Sequence, residues 1–518
     1  MVEGGTPQDR ATGGGAPEHG MVDHGVVWFR KDLRLVDNPA WDAAVSKCRR
    51  ITALFVVDPA IVEPAGPYRL AQLSAHLRAL DEELASAGGQ LWLRRGDPAS
   101  VVPHVVGEVE AGALYANADA APGSRRRDKR VHQALASTPA ARHHRNEPVP
   151  FHTYWGTLVL PPLSVTTNDG GVSKVFTPFY KRWRDTPWDA WPERNPLAED
   201  TPQVTRPPSQ AAWGAGETMA IDDLPHAGDV PHHSGGSQAA LGRLGAAVQR
   251  APRYRDERDR PDLATTTELS ADLHYGTLSP RRAASALGHA TGGSDSEGPP
   301  ADAVEGGAAI VRQLAWRDWY AHLLWAHPHL TDRAMRSEYD RLPWQNDPDE
   351  FDAWCQGRTG FPIVDAGMRQ LAASGWMHNR VRMIVASFLV KDLLVDWRLG
   401  EAHFRRLLVD GDTTQNVGNW QWVAGTGPDA APYFRVFNPT TQAEKFDPRG
   451  EFVRSWVPEL AGLPPKWIHR PSEAPAGVLA DAGVELGTTY PLPLIDHGDA
   501  RERALAAYGQ ARGDTPSK

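Results

Sequence analysis

In LLVDGDTTQNVGNWQW (Leu407 to Trp422), Asp410 and Asp412 flank a glycine, and Asn416 follows four residues after the second acid. Acids and amides this dense among tryptophans would leave too many unpaired polar groups for plain core. With the Gly/Pro-rich continuation GTGPDAAPYFRVFNPTTQ they predict an irregular segment, better explained as a binding site than as a long helix. In GWMHNRVRM (Gly375 to Met383) the polar residues share a helix with core. Val381, Ile384, Val385, Phe388 and Leu389 recur at i, i+3, i+4, i+7 and i+8, the stripe of a packed helix. At about 100° per residue, Asn379 and Met383 lie opposite that stripe, one turn apart on a single face. His378, Arg380 and Arg382 also sit off it.

VRQLAWRDWYAHLLWAHP (Val311 to Pro328) crowds Trp316, Arg317, Trp319 and Tyr320 onto one helix. Packing can use the aromatics, but a buried Arg317 requires an acidic or phosphate partner. ATTTELS (Ala264 to Ser270) places Glu268 three residues after Thr265, the spacing of a capping box; the same hydroxyls and N–H groups could instead hold a phosphate. Capping is the stronger reading of that stretch taken alone. The aspartates of DGD could ligate Mg²⁺, but no neighbouring cluster completes a cage. The sequence also lacks HExxH, Cys/His metal spacing, a GxSxG elbow and a Walker-type loop, so metal-dependent, serine and nucleotide hydrolysis lose support.

A chain of 518 residues is long enough for two or more compact units to position these side chains. Residues 1–21 are rich in Gly, Pro and polar residues and read as a disordered tail. Over 22–152, GVVWF, ITALFVV, LWLRR and ALYAN are short apolar runs, separated by segments of helical period such as YRLAQLSAHLRALDEELASAGG. That alternation predicts an α/β domain with a doubly wound parallel sheet. No GxGxxG follows the first strand, so ordinary dinucleotide binding is not indicated. Residues 153–242 read as a long connection laid over the surface, with VFTPFYKRW (Val175 to Trp183) as its aromatic-basic knot. Helical periodicity dominates 243–518, a larger all-α domain with a flexible loop at SGGSDSEGPPADAVEGG (Ser294 to Gly307).

Lys+Arg 55 against Asp+Glu 64 gives a net charge of −9, which argues against a general nucleic-acid coat but leaves room for a local basic patch. Cys48 and Cys355 are the only cysteines, too few for a disulfide framework or a thiolate metal site. No run approaches the roughly 18 apolar residues of a membrane span, and the N-terminus has no signal-peptide core. A soluble cytoplasmic protein with no membrane partner is expected.

Taken together, these stretches resemble the photolyase/cryptochrome flavoprotein family, most closely the microbial class I cyclobutane pyrimidine dimer photolyases. The resemblance runs from VVWFRKDLRLVDNPAW (Val26 to Trp41) to YPLPLIDHGDARERALAAY (Tyr490 to Tyr508). It is most specific in GWMHNRVRM, LLVDGDTTQNVGNWQW and APYFRVFNPTTQAEKFD. It implies a deoxyribodipyrimidine photo-lyase, a monomer that binds damaged DNA with the pyrimidine dimer flipped out and splits it by light-driven electron transfer from reduced, non-covalent FAD in the helical domain. By this resemblance Tyr254, Thr266, Thr267, Leu269 and Ser270 lie near the FAD phosphates with Arg317 beside them. Gln313, Asn379, Arg382, Asp410, Asp412 and Asn416 complete the cofactor set. Arg382 and Asp410 can pair below the flavin, and the Asn416 amide can accept the N–H of the reduced ring. Trp316 and Trp422 match the aromatic walls of the lesion pocket, Asn379, Arg380 and Met383 its floor, and Gln313 a dimer contact. Trp344, Trp397 and Trp420 match a tryptophan chain for photoreduction; Arg380, Arg435 and Lys174 match contacts to the DNA backbone.

Three departures stand out. Gln313 replaces a Glu that bonds the dimer in many cyclobutane photolyases; an amide keeps donor and acceptor but supplies no charge or proton. Glu268 stands where the family often has Arg, and is left out of the FAD set. Members whose antenna is methenyltetrahydrofolate carry an Asn-Glu pair where this chain has Gly123-Ser124, and APGSRRRDKRV is closer to the branch using 8-hydroxy-5-deazaflavin, which is therefore favoured. Two rivals remain. Repair of (6-4) photoproducts calls for proton-moving histidines at the positions of Asn379 and Met383. A cryptochrome light sensor usually has a long C-terminal extension, whereas ten residues follow Tyr508.

Overall fold

Apolar runs buried on both faces become the strands of a parallel sheet. In the computed structural model, which describes residues 21–137, 147–189, 202–207, 217–224, 230, 233–263, 265–288, 301–430, 432 and 435–513, the first five strands are β1 (Val22–Phe29), β2 (Cys48–Val57), β3 (Leu91–Arg95), β4 (Ala113–Asn117) and β5 (Phe151–Tyr154). They lie in the order β5-β4-β1-β2-β3, all parallel, with Val27 opposite Ala53 and Val26 opposite Leu114. Alternate side chains enter opposite layers. Val27, Phe29, Ala53 and Phe55 meet α1 (Pro39–Lys47) and α2 (Pro67–Ser86) through Trp41, Leu77 and Leu80. Val26, Trp28, Leu54 and Val56 meet α3 (Pro98–Glu108) and α4 (Pro122–Ser137) through Val102, Val106 and Val131. This is the doubly wound α/β domain expected from the sequence.

The described parts of the segment 153–242 carry elements of their own. β6 (Gln203–Val204) pairs parallel with β2, and β7 (Glu217–Thr218) pairs antiparallel with β3. VFTPFYKRW forms the start of α5 (Phe176–Asp185), whose Phe176, Phe179 and Trp183 are buried in the core of the helical domain. Those three residues fall at i, i+3 and i+7, a helical stripe that the surrounding Pro and Gly obscure.

The helical domain is built from α6 (Gly236–Glu257), α7 (Ser270–Tyr275), α8 (Ala301–Ala326), α9 (Pro362–Ser374), α10 (Asn379–Ser387), α11 (Trp397–Leu407), α12 (Thr413–Ala424) and α13 (His497–Arg512), with shorter helices between them. Of the loop expected at Ser294 to Gly307, 294–300 lie outside the described residues and 301–307 begin α8. Residues 1–20 of the expected tail also lie outside them. Among the described residues, no helix is long and apolar enough to cross a membrane.

Two local expectations are corrected. The segment after DGD is a helix of 12 residues, because Asp412 caps it and Gly418 faces the Tyr320 ring of α8 so closely that a Cβ there would lie 2.2 Å from a ring carbon. Glycine at that position serves helix contact, and the amides face a cavity instead of breaking the helix. Thr265 and Glu268 form no capping box: α7 begins later, after Leu269, which makes no side-chain cap, and Glu268 is in the left-handed region at φ 54°.

The two domains meet at the turn after β1. Leu33 N–H donates to the Tyr275 carbonyl at 3.0 Å, and the buried Arg34 guanidinium donates to the carbonyls of Gly276 and Gly156, each at 2.7 Å. Gly276 has φ 68°, and a Cβ there would lie 2.0 Å from the Lys31 carbonyl oxygen, so only glycine permits this approach.

His378 caps α10: its Nδ1 accepts the Arg380 N–H at 3.1 Å, which requires that nitrogen to be unprotonated. Burial pushes the imidazole down to about 4 from an ordinary 6.5. Between those values the unfolded chain binds the extra proton, so this contribution is complete above pH 6.5 and is lost as pH falls toward 4. Replacing it by Asn, a non-titrating capping residue, should flatten the acid limb of a plot of urea midpoint against pH. An unchanged slope would assign the acid sensitivity elsewhere.

Candidate active site

A cavity of about 1010 Å³ opens within the helical domain, walled by α6, α7, α8, α10 and α12. Its floor holds Asp410 and Asp412, both buried, so each requires a cation. For Asp410 that cation is Arg382 of α10, whose Nη1 and Nη2 donate to Oδ1 and Oδ2 at 3.2 and 3.0 Å. Arg382 Nε is anchored on the Met377 carbonyl at 2.8 Å. Burial alone would raise the Asp410 carboxyl, but the guanidinium, with Ser270 and His274, holds the group below its usual range. For Asp412 the cation is Lys31 of the α/β domain, at 3.3 Å. Burial would raise Asp412 too, but Lys31 together with His274 and Arg317 keeps it well below the ordinary carboxylate value.

Asn416 lies one turn into α12, with its backbone N–H on the Asp412 carbonyl at 2.8 Å. Its amide nitrogen donates to the Glu401 backbone oxygen and to Oε1, both at 2.9 Å. Glu401 is itself buried and paired with Arg405 at 3.2 Å. With both amide hydrogens on Glu401, the group left for the cavity is the Asn416 carbonyl oxygen, an acceptor in a fixed place. Glu401 did not emerge from the sequence reading, although a signal exists: it sits in the buried stripe Trp397, Gly400, Glu401, Phe404 of α11, where an acid is out of place.

The far wall is aromatic. Trp316 stacks one face on Phe176 of α5, with centroids 3.7 Å apart and planes at 12°, and meets Trp319 edge-on at 5.1 Å. Its remaining face is available to the cavity, which Gln313 and Trp422 also border. Asn379 and Met383 lie one turn apart on the same cavity wall, with Asn379 Nδ2 4.0 Å from the Met383 sulfur. Phe176, the support of this shelf, and Arg312, which lies over the Phe176 and Tyr180 rings, were also missed at the sequence level.

Tyr254, Thr267, Leu269, Ser270 and Arg317 border the cavity on the α6–α7 side, while Thr266 is not among its lining residues. Arg317 is anchored on neighbouring backbone. Its Nη1 donates to the Thr157 carbonyl and its Nη2 to the Leu273 carbonyl at 3.0 Å. Arg380 is not among the residues lining the cavity. It pairs with Asp259 at 3.0 Å and lies over the Phe446 ring at 4.4 Å, with its side chain only 16% exposed, so it does not project freely. Lys174 and Arg435 are exposed. Trp420 borders the cavity and packs edge-on against Phe404 at 5.0 Å and Trp354 at 6.3 Å. Trp397 is buried one turn before Gly400, on which the Trp420 ring rests. Trp344 meets Tyr508 at 6.5 Å, away from the cavity.

These residues suit a large cofactor with a flat polar ring system. The cavity has the volume, apolar walls for a planar face, an ion pair, and an oriented amide oxygen. A smaller cavity of about 130 Å³ lies at the carboxyl ends of β1, β2 and β4. The chain winds outward from β1 to β3 and then crosses back to β4, so the sheet reverses direction there, the usual place for a ligand in such folds. Trp28, Arg30, Lys31, Asp119, Ser124 and Arg127 line it, with the Arg30 and Arg127 guanidiniums 4.8 and 5.0 Å from the Trp28 ring centroid.

Residues 25–198 match the family model described as DNA photolyase, and residues 310–510 match the FAD binding domain of DNA photolyase. A deoxyribodipyrimidine photo-lyase of Agrobacterium fabrum is 40% identical over 511 residues, 95% of this chain and 98% of that protein. Among solved structures, a bacterial class III photolyase from Agrobacterium tumefaciens superposes with a TM-score of 0.80 at 37% identity, covering 97% of this chain and all (100%) of that one. An archaeal photolyase from Sulfolobus tokodaii with two FAD molecules superposes at 0.75 and 31% identity, covering 94% and 100%. Matched along nearly its whole length and carrying the family's FAD-binding domain, the chain belongs to the DNA photolyase family.

Proposed function

We propose that this protein is a light-driven DNA repair enzyme that splits cyclobutane pyrimidine dimers, with FAD held non-covalently in the large cavity and the dimer extruded against Trp316. The observation that carries this reading is the juxtaposition in one cavity of the Trp316 shelf, the Asn379–Met383 pair and the Asn416 carbonyl oxygen above a neutralised acidic floor. Reduced FAD, when bound and excited by light, supplies one electron to the dimer and recovers it once the ring has split.

The chain's own residues bind and orient. Trp316 and Trp422 offer flat apolar surface to a dimer; photolyases are among the enzymes known to take their target out of the stack, and a badly stacked lesion costs less to extrude. Gln313, with its amide nitrogen 3.4 Å from the Ala309 carbonyl, retains an oxygen acceptor for a thymine edge. The Asn416 oxygen accepts an N–H from the flavin ring and so favours the reduced form. Trp420, at the cavity, is the first member of a photoreduction chain continuing to Trp397 and Trp344. Lys174 and Arg435, with Arg312 at the rim, meet the DNA backbone, which lets a chain of net charge −9 bind a polyanion locally.

Cyclobutane dimers are favoured over (6-4) photoproducts because the two positions on the lesion side of α10 carry no proton-moving histidine. Asn379 and Met383 hold the two positions, and the adjacent His378 is buried, committed to its cap, and held neutral. The same reading makes the protein a monomeric cytoplasmic enzyme and leaves a signalling cryptochrome as the alternative without turnover. The smaller cavity is read as the antenna site, with 8-hydroxy-5-deazaflavin preferred to methenyltetrahydrofolate because Gly123-Ser124 replaces an Asn-Glu pair; Ser124 Oγ instead donates to Asp119 at 2.8 Å.

The decisive measurement compares dimer-containing DNA incubated with the reduced flavoprotein under blue light and in darkness. Thymines should be restored only in light, and absence of restoration would leave the sensor reading. Trp316→Ala should weaken binding of dimer-containing DNA by about 1 to 3 kcal/mol, the size of a stacking contact. Equal affinity of the parent protein for damaged and undamaged strands would undo the pocket assignment. The absorption spectrum of the isolated protein tests the antenna: a second visible band that persists after flavin reduction is expected from a deazaflavin, and flavin bands alone would remove that assignment.

A further inference from the structure

Asp412 serves two domains with its two oxygens. Oδ1 caps α12, accepting the N–H groups of Thr414 and Gln415 at 2.9 and 3.2 Å. Oδ2 faces away from the helix, toward Lys31 Nζ at 3.3 Å and His274 Nδ1 at 3.6 Å. Lys31 belongs to the turn after β1, and its ammonium also contacts Asp119 Oδ2 at 3.0 Å in the turn after β4. The three charges form a row through the seam between the domains. Lys31 and Asp119 border the smaller cavity, Asp412 borders the larger, and His274 borders both.

We infer that Lys31 is a positioning residue for the cofactor site: acting from the α/β domain through Asp412, it fixes the start of α12 and with it Asn416. This rests on the reading that Asp412 and Asn416 hold FAD. Asp410 has Arg382 to itself, so no second cation of the helical domain is shared with Asp412 at hydrogen-bond distance among the described residues. With Lys31 gone, Asp412 Oδ2 keeps only the more distant His274 Nδ1 at 3.6 Å. The aspartate then takes up a proton or turns away, and its cap on α12 weakens. Because Asn416 N–H bonds to the Asp412 carbonyl at 2.8 Å, a shift of this corner reaches the cofactor acceptor directly. The Gly276 approach holds the Lys31 backbone in place, so the lysine does not adjust freely.

The test is the rate of FAD release from the holoprotein, followed by the rise in free-flavin fluorescence, in K31M, D412N, the double variant and K31R. K31M should release FAD about fivefold to tenfold faster, the size expected for a lost charge-assisted cap. K31R, which keeps the charge, should return the rate toward that of the parent. In the D412N background K31M should add nothing, because the lysine acts through the aspartate. Parent-rate release from K31M, or a K31M effect of full size in D412N, would overturn the inference while leaving the cofactor site intact. Parent-rate release from D412N itself would instead overturn the reading on which it rests. If K31M does not fold, K31Q in the same cycle decides between these outcomes.

Discussion

The site depends on placing two carboxylates, two residues apart, on the dry floor of a large cavity. Neither acid remains ionised there without a cation, and the two draw theirs from different elements. Arg382 reaches Asp410 from α10 with a two-pronged contact, while Lys31 reaches Asp412 from the other domain. Much of the architecture follows from satisfying that demand. Helix α10 must start where Arg382 can lie against the floor, α12 must start at Asp412, and the turn after β1 must press into the helical domain.

That pressing is done with backbone more than with side chains. Arg34 is a buried guanidinium whose donors go to carbonyl oxygens on both sides of the seam, and burial lowers it to about 10, still protonated at neutral pH. Gly276 supplies the close approach that any Cβ would block. The α/β domain thus completes a pocket that lies in the other domain. The segment 153–242 ties the two further together: its short strands extend the sheet, and its helix α5 supplies Phe176 as the backing of Trp316.

The cavity is built for holding and orienting. The histidine beside Asn379 is locked as a helix cap, and Asp410, Asp412 and Glu401 are ion-paired or hydrogen-bonded. On the proposed function, such an interior suits electron transfer without net proton movement, in which stacking surface and fixed acceptors do the protein's share.

The amino-acid sequence by itself determined the two-domain plan, because strand and helix periodicities of two and 3.6 are properties of consecutive residues. It also marked Asp410, Asp412, Asn416, Arg382 and Trp316, polar or aromatic residues in places where packing alone would not put them. It misjudged α12 as irregular, because glycine and asparagine read as helix breakers until Tyr320 and the cavity are known to face them. Glu401 was readable as an acid on an apolar stripe and was overlooked. Lys31 was not readable at all, since its partner Asp412 is 381 residues away. Arg380, expected at the pocket floor and among the contacts to the DNA backbone, is paired with Asp259, a partner 121 positions away that spacing could not reveal. The tertiary structure alone decided which cation neutralises which acid, because such pairing is set by distance in space, and two helices and a turn from separate domains come within hydrogen-bond reach only after folding.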